Sequence, residues 1–141
     1  MFVYSQTASP VANDQAFTIN EGDTSSGTLT GTDSDSSSSD LSFAVVGSPT
    51  SGTLTIESNG SFTYVHSGGE GTSDSFTFSI SDEDNNTSNT ATVTITVTPV
   101  NDVPVIANIS KTLDEGASAE INVSGSDAEG AILIYEIVTA P

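Results

Sequence analysis

The chain has no cysteine and no tryptophan, one lysine (Lys111), one histidine (His66) and no arginine among its 141 residues. Without cysteine there is no disulfide framework, no thiolate nucleophile and no Cys-based zinc site. One cation in the whole sequence excludes nucleic acid and anionic membrane surfaces as electrostatic partners, because both are held by Lys and Arg. No apolar run approaches the ~18 residues of a membrane-spanning helix. The first residues, Met1-Phe2-Val3-Tyr4, lack the basic start and long apolar core of a signal peptide. What the sequence does have is acid. Nineteen Asp and Glu give a formal charge of -18, although only 14% of residues are charged. Such acidity marks disorder only when hydrophobicity is low. Here 34% of residues are apolar and fall in alternating strings, so a folded, acidic, surface-type protein is expected.

Internal self-similarity sets the organisation. PVANDQAFTINEGDTSSGTLTGTDSD, from Pro10, aligns with PVIANISKTLDEGASAEINVSGSDAE, from Pro104, at an offset of 94. Glu21-Gly22 falls on Glu115-Gly116, Asp33 on Asp127 and Asp35 on Glu129. After a two-residue deletion, 41–46 aligns with 133–138. The reading is a preceding linker over 1–9, one full repeat over 10–102 and the first part of a second, truncated repeat over 103–141.

Within the full repeat, period-two alternation predicts strands at 16–19, 27–32, 41–46, 52–57, 61–65, 75–81 and 90–98. Phe76, Phe78 and Ile80 point inward on one strand; Ala91, Val93, Ile95 and Val97 do so on the next. If Leu54 and Ile56 share a core with Phe62 and Tyr64, the pairs must be Ile56–Phe62 and Leu54–Tyr64. That register needs a three-residue loop, Ser58-Asn59-Gly60, with Gly60 left-handed. Seven short strands with regular turn signals predict an all-β fold, an antiparallel Ig-like Greek-key β-sandwich.

In an up-and-down traverse of such a sandwich, the acids sort to its two ends. The leading end gathers Asp14, Asp33, Asp35, Asp82 and Asp84. The trailing end gathers Glu21, Glu70, Asp74 and the linker pair Asn101-Asp102, flanked by Pro99 and Pro104. Asp127 and Glu129 of the following repeat lie across that joint. Like charges at ~4 Å cost about 1 kcal/mol per pair in water and several times that near a protein surface. An all-oxygen donor set of Asp, Glu, Asn and carbonyls is hard-cation chemistry, and 6–8 such ligands favour Ca²⁺. The bland alternative is a solvated surface that keeps the protein soluble.

The order of PxxNDxxxxxxEG, TDSD, SGTLTIESNGSFTYV, GTSDSFTFSISDEDNNTS and ATVTITVTPVNDVP resembles the cadherin-like and VCBS-type tandem repeats of large bacterial surface adhesins. The likeness covers 10–102 and, as a partial copy, 104–138. It implies a cadherin-like sandwich in a secreted, cell-surface stalk that serves adhesion and biofilm formation, stiffened by Ca²⁺ between neighbouring repeats. By position it makes Glu21, Asp102 and Asp127 inter-repeat ligands, joined by Asn101. The segment GGEGTSD departs from the animal cadherin Asp-x-Glu, and Asp82-Glu83-Asp84-Asn85-Asn86 departs from the family's Gly-rich loop.

Other motifs carry less. Asp33-Ser-Asp35 and Asp82-Glu-Asp84 start like EF-hand loops but lack Gly at position 6 and Glu at position 12. GGEGTSDSF nearly matches a Ca²⁺-binding nonapeptide, yet it occurs once where a stacked roll needs copies. His66 has no nucleophile elbow or oxyanion donors around it, so no enzyme is expected. It reads as a strand-end residue beside Tyr64. The outward Thr row from Thr90 to Thr98 is a line rather than a lattice. The sequence therefore predicts a Ca²⁺-ordered, non-enzymatic extender module, with a carbohydrate- or protein-binding module as the alternative. The unpaired strands of the truncated copy predict a homodimer.

Overall fold

A computed structural model describes residues 8–139; the rest of the 1–9 linker, residues 1–7, and the last two residues lie outside the described part. The chain divides into two compact units, one ending at Pro99 and one beginning at Val100. The described residues contain strands and turns and no helix, so no helix is long and apolar enough to cross a membrane.

The first unit is a two-sheet sandwich. One sheet has the order β2(Gln15–Asn20), β9(Ala91–Thr98), β8(Ser73–Ser81), β5(Ser42–Gly47). The other has the order β3(Thr24–Thr28), β7(Ser61–His66), β6(Gly52–Ile56). The inward residues of β8 and β9 are the predicted ones: Phe76, Phe78, Ile80, Ala91, Val93, Ile95 and Val97 are all buried. Facing them are Phe62 and Tyr64 of β7, with Phe17, Phe43, Leu54 and Ile56 packed at the margins. Among the described residues, every phenylalanine and tyrosine ring of this unit therefore lies in the core or packs against it.

The β6–β7 hairpin has the predicted register, with Ile56 opposite Phe62 and Leu54 opposite Tyr64. Gly60 closes it at φ +87, a left-handed conformation that costs residues with a Cβ. The Gly60 N–H donates to the Glu57 carbonyl at 2.9 Å, and the Glu57 N–H to the Ser61 carbonyl at 2.8 Å.

Two features differ from the sequence reading. The strand expected at 27–32 is broken: β3 ends at Thr28, and Gly31–Thr32 forms β4, paired with β1(Val11–Ala12). The break lets the Leu29 N–H reach the Gly60 carbonyl at 2.8 Å while the Leu29 side chain is buried. The sandwich is also not wholly antiparallel, because β2 runs parallel to β9 over six pairs from Gln15–Val93 to Asn20–Thr98. The short β1–β4 ladder sends the chain across the sandwich at Asn13-Asp14, so β2 arrives beside the last strand in the same direction.

In the second unit, β10(Val105–Ile106) pairs with β11(Gly125–Ser126). Its pairs, Val105–Ser126 and Ile106–Gly125, stand 94 residues after Val11–Thr32 and Ala12–Gly31. The turn at Gly116 (φ +78), where the Ala117 N–H donates to the Asp114 carbonyl, matches that at Gly22 (φ +72), where Asp23 donates to Asn20.

Candidate metal centre

Strand ends decide where the acids sit. At the trailing end, β2 stops at Asn20 and the Glu21 N–H donates to the carbonyl of Thr98, the last residue of β9, at 2.9 Å. That bond fixes Glu21 against the chain's exit from the sandwich. Glu70 lies in the loop between β7 and β8, and its carboxylate oxygen comes within 4.8 Å of one from Glu21. Residues 8–99 contain no lysine or arginine.

Asp74, expected as a ligand at the same end, is occupied otherwise. It is buried in β8, and its carboxylate accepts from Thr50 N at 3.0 Å, Thr50 Oγ1 at 3.2 Å and Ser75 N at 2.8 Å through one oxygen. The other oxygen accepts from Ser51 N at 2.9 Å and Tyr64 Oη at 2.8 Å. Burial raises its pKa, but the three backbone donors and the tyrosine hydroxyl outweigh this and hold it below the ordinary carboxylate value. Burial first, and the adjacent carboxylate second, push the Tyr64 phenol upward. Asp74 anchors the loop between β5 and β6 rather than offering lone pairs to an ion.

At the leading end, the loop between β4 and β5 brings Asp33 and Asp35 side by side. Asp33 Oδ1 accepts from the N–H of Asp35 at 3.0 Å and of Ser36 at 3.4 Å, while Asp33 Oδ2 is shielded from solvent without a hydrogen-bond donor. Contact with Asp33 pushes the Asp35 carboxyl above the ordinary range; the same contact holds Asp33 below it. Two carboxyl groups in that relation share a proton at low pH or a cation at neutral pH.

The remaining predicted ligands are distributed. Asp14 accepts from Thr92 N at 2.7 Å. Asp82 is buried and takes both the N–H and the side-chain amide of Asn86, at 2.7 and 2.8 Å, inside a turn whose Asn85 is left-handed at φ 66. Asp84 is exposed in that turn. In the second unit, the Asn101 side-chain amide donates to the Asp102 carbonyl at 2.7 Å, and Asp127 Oδ1 accepts from Ala131 N at 3.0 Å. The Asp102 N–H donates to Glu129 Oε1 at 2.7 Å. Ninety-four residues earlier, the Ala8 N–H donates to Asp35 Oδ2, also at 2.7 Å. Each unit thus pins its incoming chain with the second acid of its Asp-x-acid pair.

These donor sets fit a hard divalent cation: they are all oxygen, two carboxylate pairs are crowded together, and one shielded carboxylate oxygen lacks a donor. Sequence comparison agrees with the fold they sit on, because the profile of the bacterial cadherin-like domain matches residues 7–99. The chain belongs to the bacterial cadherin-like domain family. No curated protein matches the chain in sequence. Among solved structures it is similar to the extracellular cadherin domains 1–4 of protocadherin gamma B7, with a TM-score of 0.52 at 14% identity. That match covers 86% of this chain and 33% of the protocadherin chain. The cadherin-like domain is a structural module of the adhesion type, used outside the cell. The family is not typically enzymatic.

Proposed function

We propose that this cadherin-like chain is a Ca²⁺-stabilised extender module of a secreted bacterial adhesin, with residues 103–141 a partial second repeat. The observation that carries the reading is the approach of Glu21 and Glu70 to within 4.8 Å in a unit without lysine or arginine. Asp102 is the linker acid of this site, since four residues of chain keep it within about 14 Å of Thr98, whose carbonyl holds Glu21. Asn101 of the linker, with Asp127 and Glu129 of the following repeat, completes the joint, and Asp33 and Asp35 with Asp14, Asp82 and Asp84 serve the joint before it. Asp74 drops out of the ligand set. Bound Ca²⁺ supplies charge neutralisation and coordination to otherwise repelling oxygens; the chain supplies their placement.

Ions that bind only the folded state stabilise it by about 2.7 kcal/mol per site at 100-fold excess over Kd. Extracellular modules of this kind have Kd near 10⁻⁴–10⁻³ M. A melt in about 2 mM Ca²⁺ should therefore exceed one in EGTA by roughly 10 °C, and Mg²⁺ should not substitute. Equal melts would reduce the acids to a solvated surface. Against a sugar-binding reading, Phe62, Phe76 and Phe78 are buried and Phe43 packs partly buried against the same core.

A further inference from the structure

His66 is the only histidine and sits at the end of β7, 3% exposed. Its ring nitrogen Nδ1 accepts two backbone N–H groups, from Gly22 and from Gly68, each at 3.2 Å. The His66 backbone N–H donates to the Asp23 carbonyl at 3.0 Å. A nitrogen that accepts carries no proton, which places the ring hydrogen on Nε2. Both donors are glycines in the left-handed conformation, Gly22 at φ +72 and Gly68 at φ +77. Gly22 follows Glu21, and Gly68 precedes Glu70 by two residues. One imidazole therefore ties together the two loops that carry the crowded carboxylates.

The need for such a tie follows from the charges. Glu21 and Glu70 repel, and their loops belong to different connections, β2–β3 and β7–β8. The crosslink opposes that repulsion and leaves less ordering to be done when an ion binds. Backbone pairing between these strands ends with the His66 N–H on the Asp23 carbonyl, beyond the last β3–β7 pair Thr24–Val65, and stops short of both acids. We infer that His66 is a positioning residue for the cation site, holding the Glu21 and Glu70 loops in binding geometry through the paired acceptance at Nδ1. The inference rests on the calcium reading above.

The substitution His66→Asn puts an amide oxygen where Nδ1 stands and keeps an acceptor for both glycines. His66→Gln moves the amide one methylene further, and His66→Leu removes the acceptor. The test is a Ca²⁺ titration of the full chain followed by ¹H–¹⁵N spectra, reading the amides of Gly22 and Gly68. Those signals report this site rather than the Asp33–Asp35 loop. Melts in EGTA and in Ca²⁺ are recorded beside it. The expected result is Ca²⁺ affinity within about threefold of wild type for His66→Asn, and a loss of about tenfold for His66→Gln and His66→Leu, with a smaller Ca²⁺-induced melting shift. A purely structural histidine would lower the EGTA melt and leave that shift intact. If His66→Leu does not fold, the Asn and Gln pair decides. Wild-type affinity in the Gln variant overturns the inference alone, whereas a wild-type titration without response at Gly22 and Gly68 overturns the calcium reading and the inference with it.

Discussion

Five donors converge on the carboxylate of Asp74, and none is charged, so the residue is held by hydrogen bonds rather than by an ion pair. Hydrogen bonds to a charged group contribute about 1.5–3 kcal/mol each and are not additive. Asp74→Asn would turn an amide N–H₂ towards existing donors and should cost at least ~3 kcal/mol in urea unfolding, equally in Ca²⁺ and EGTA. Tyr64→Phe, which removes one donor and leaves the ring, should cost about 1.5–3 kcal/mol. A cost confined to Ca²⁺ would return Asp74 to the metal site. The acids also differ in their response to pH. Asp74 has a lowered folded pKa, so its contribution is present above the ordinary carboxylate value and is lost as pH falls through the lowered one. Asp35 has a raised one and Asp33, in contact with it, a lowered one, so within that exposed pair the two responses offset each other. In EGTA, the acid-side loss of stability should therefore belong to Asp74 and set in only below the ordinary carboxylate range. A loss that begins near pH 7 would contradict this assignment.

At the scale of elements, the β6–β7 hairpin was readable because two constraints met in one place. Alternating Leu54 and Ile56 had to share a side with Phe62 and Tyr64, and only a three-residue turn ending in glycine allows it. Gly60→Ala should cost about 1–2 kcal/mol, from the left-handed φ and from the Phe43 ring 3.1 Å from the added methyl. An unchanged denaturation midpoint would mean the turn relaxes freely. The β1–β4 ladder and the parallel β2–β9 pairing were not readable, because alternation says which side of a strand is buried and not which strand lies beside it. Four residues in two pairs leave no periodic trace at all. The sorting of Glu21 and Glu70 to one end was legible from topology, since loop position needs only the strand count. The roles of Asp74 and His66 were not. An acid in a loop and a buried acid taking five donors look the same in sequence, and a lone histidine shows nothing of the two glycine N–H groups it meets.

For the whole molecule, charge and apolar exposure oppose each other. The second unit leaves Ile132 95% and Ile134 94% exposed, with Ile137 and Val138 also open. Such a run of strand-forming residues invites pairing with a second copy of the chain, while a net charge of -18 drives copies apart. Sedimentation velocity should thus show a monomer in EGTA at low salt. Association should appear when Ca²⁺ or added NaCl shortens the reach of that repulsion, with the Debye length falling from about 30 Å at 0.01 M to about 10 Å at 0.1 M. A monomer under every condition would rule out pairing through this unit.

The parallel ladder between β2 and β9 also decides how the module meets a pull. Its first long strand and its last lie side by side and point the same way. Tension that enters before Gln15 and leaves after Thr98 therefore drags one strand along the other. Six residue pairs share the load together and must slide at once, instead of opening one after another like a zip. A module wired in this way resists force by shear, which suits the extender role proposed above.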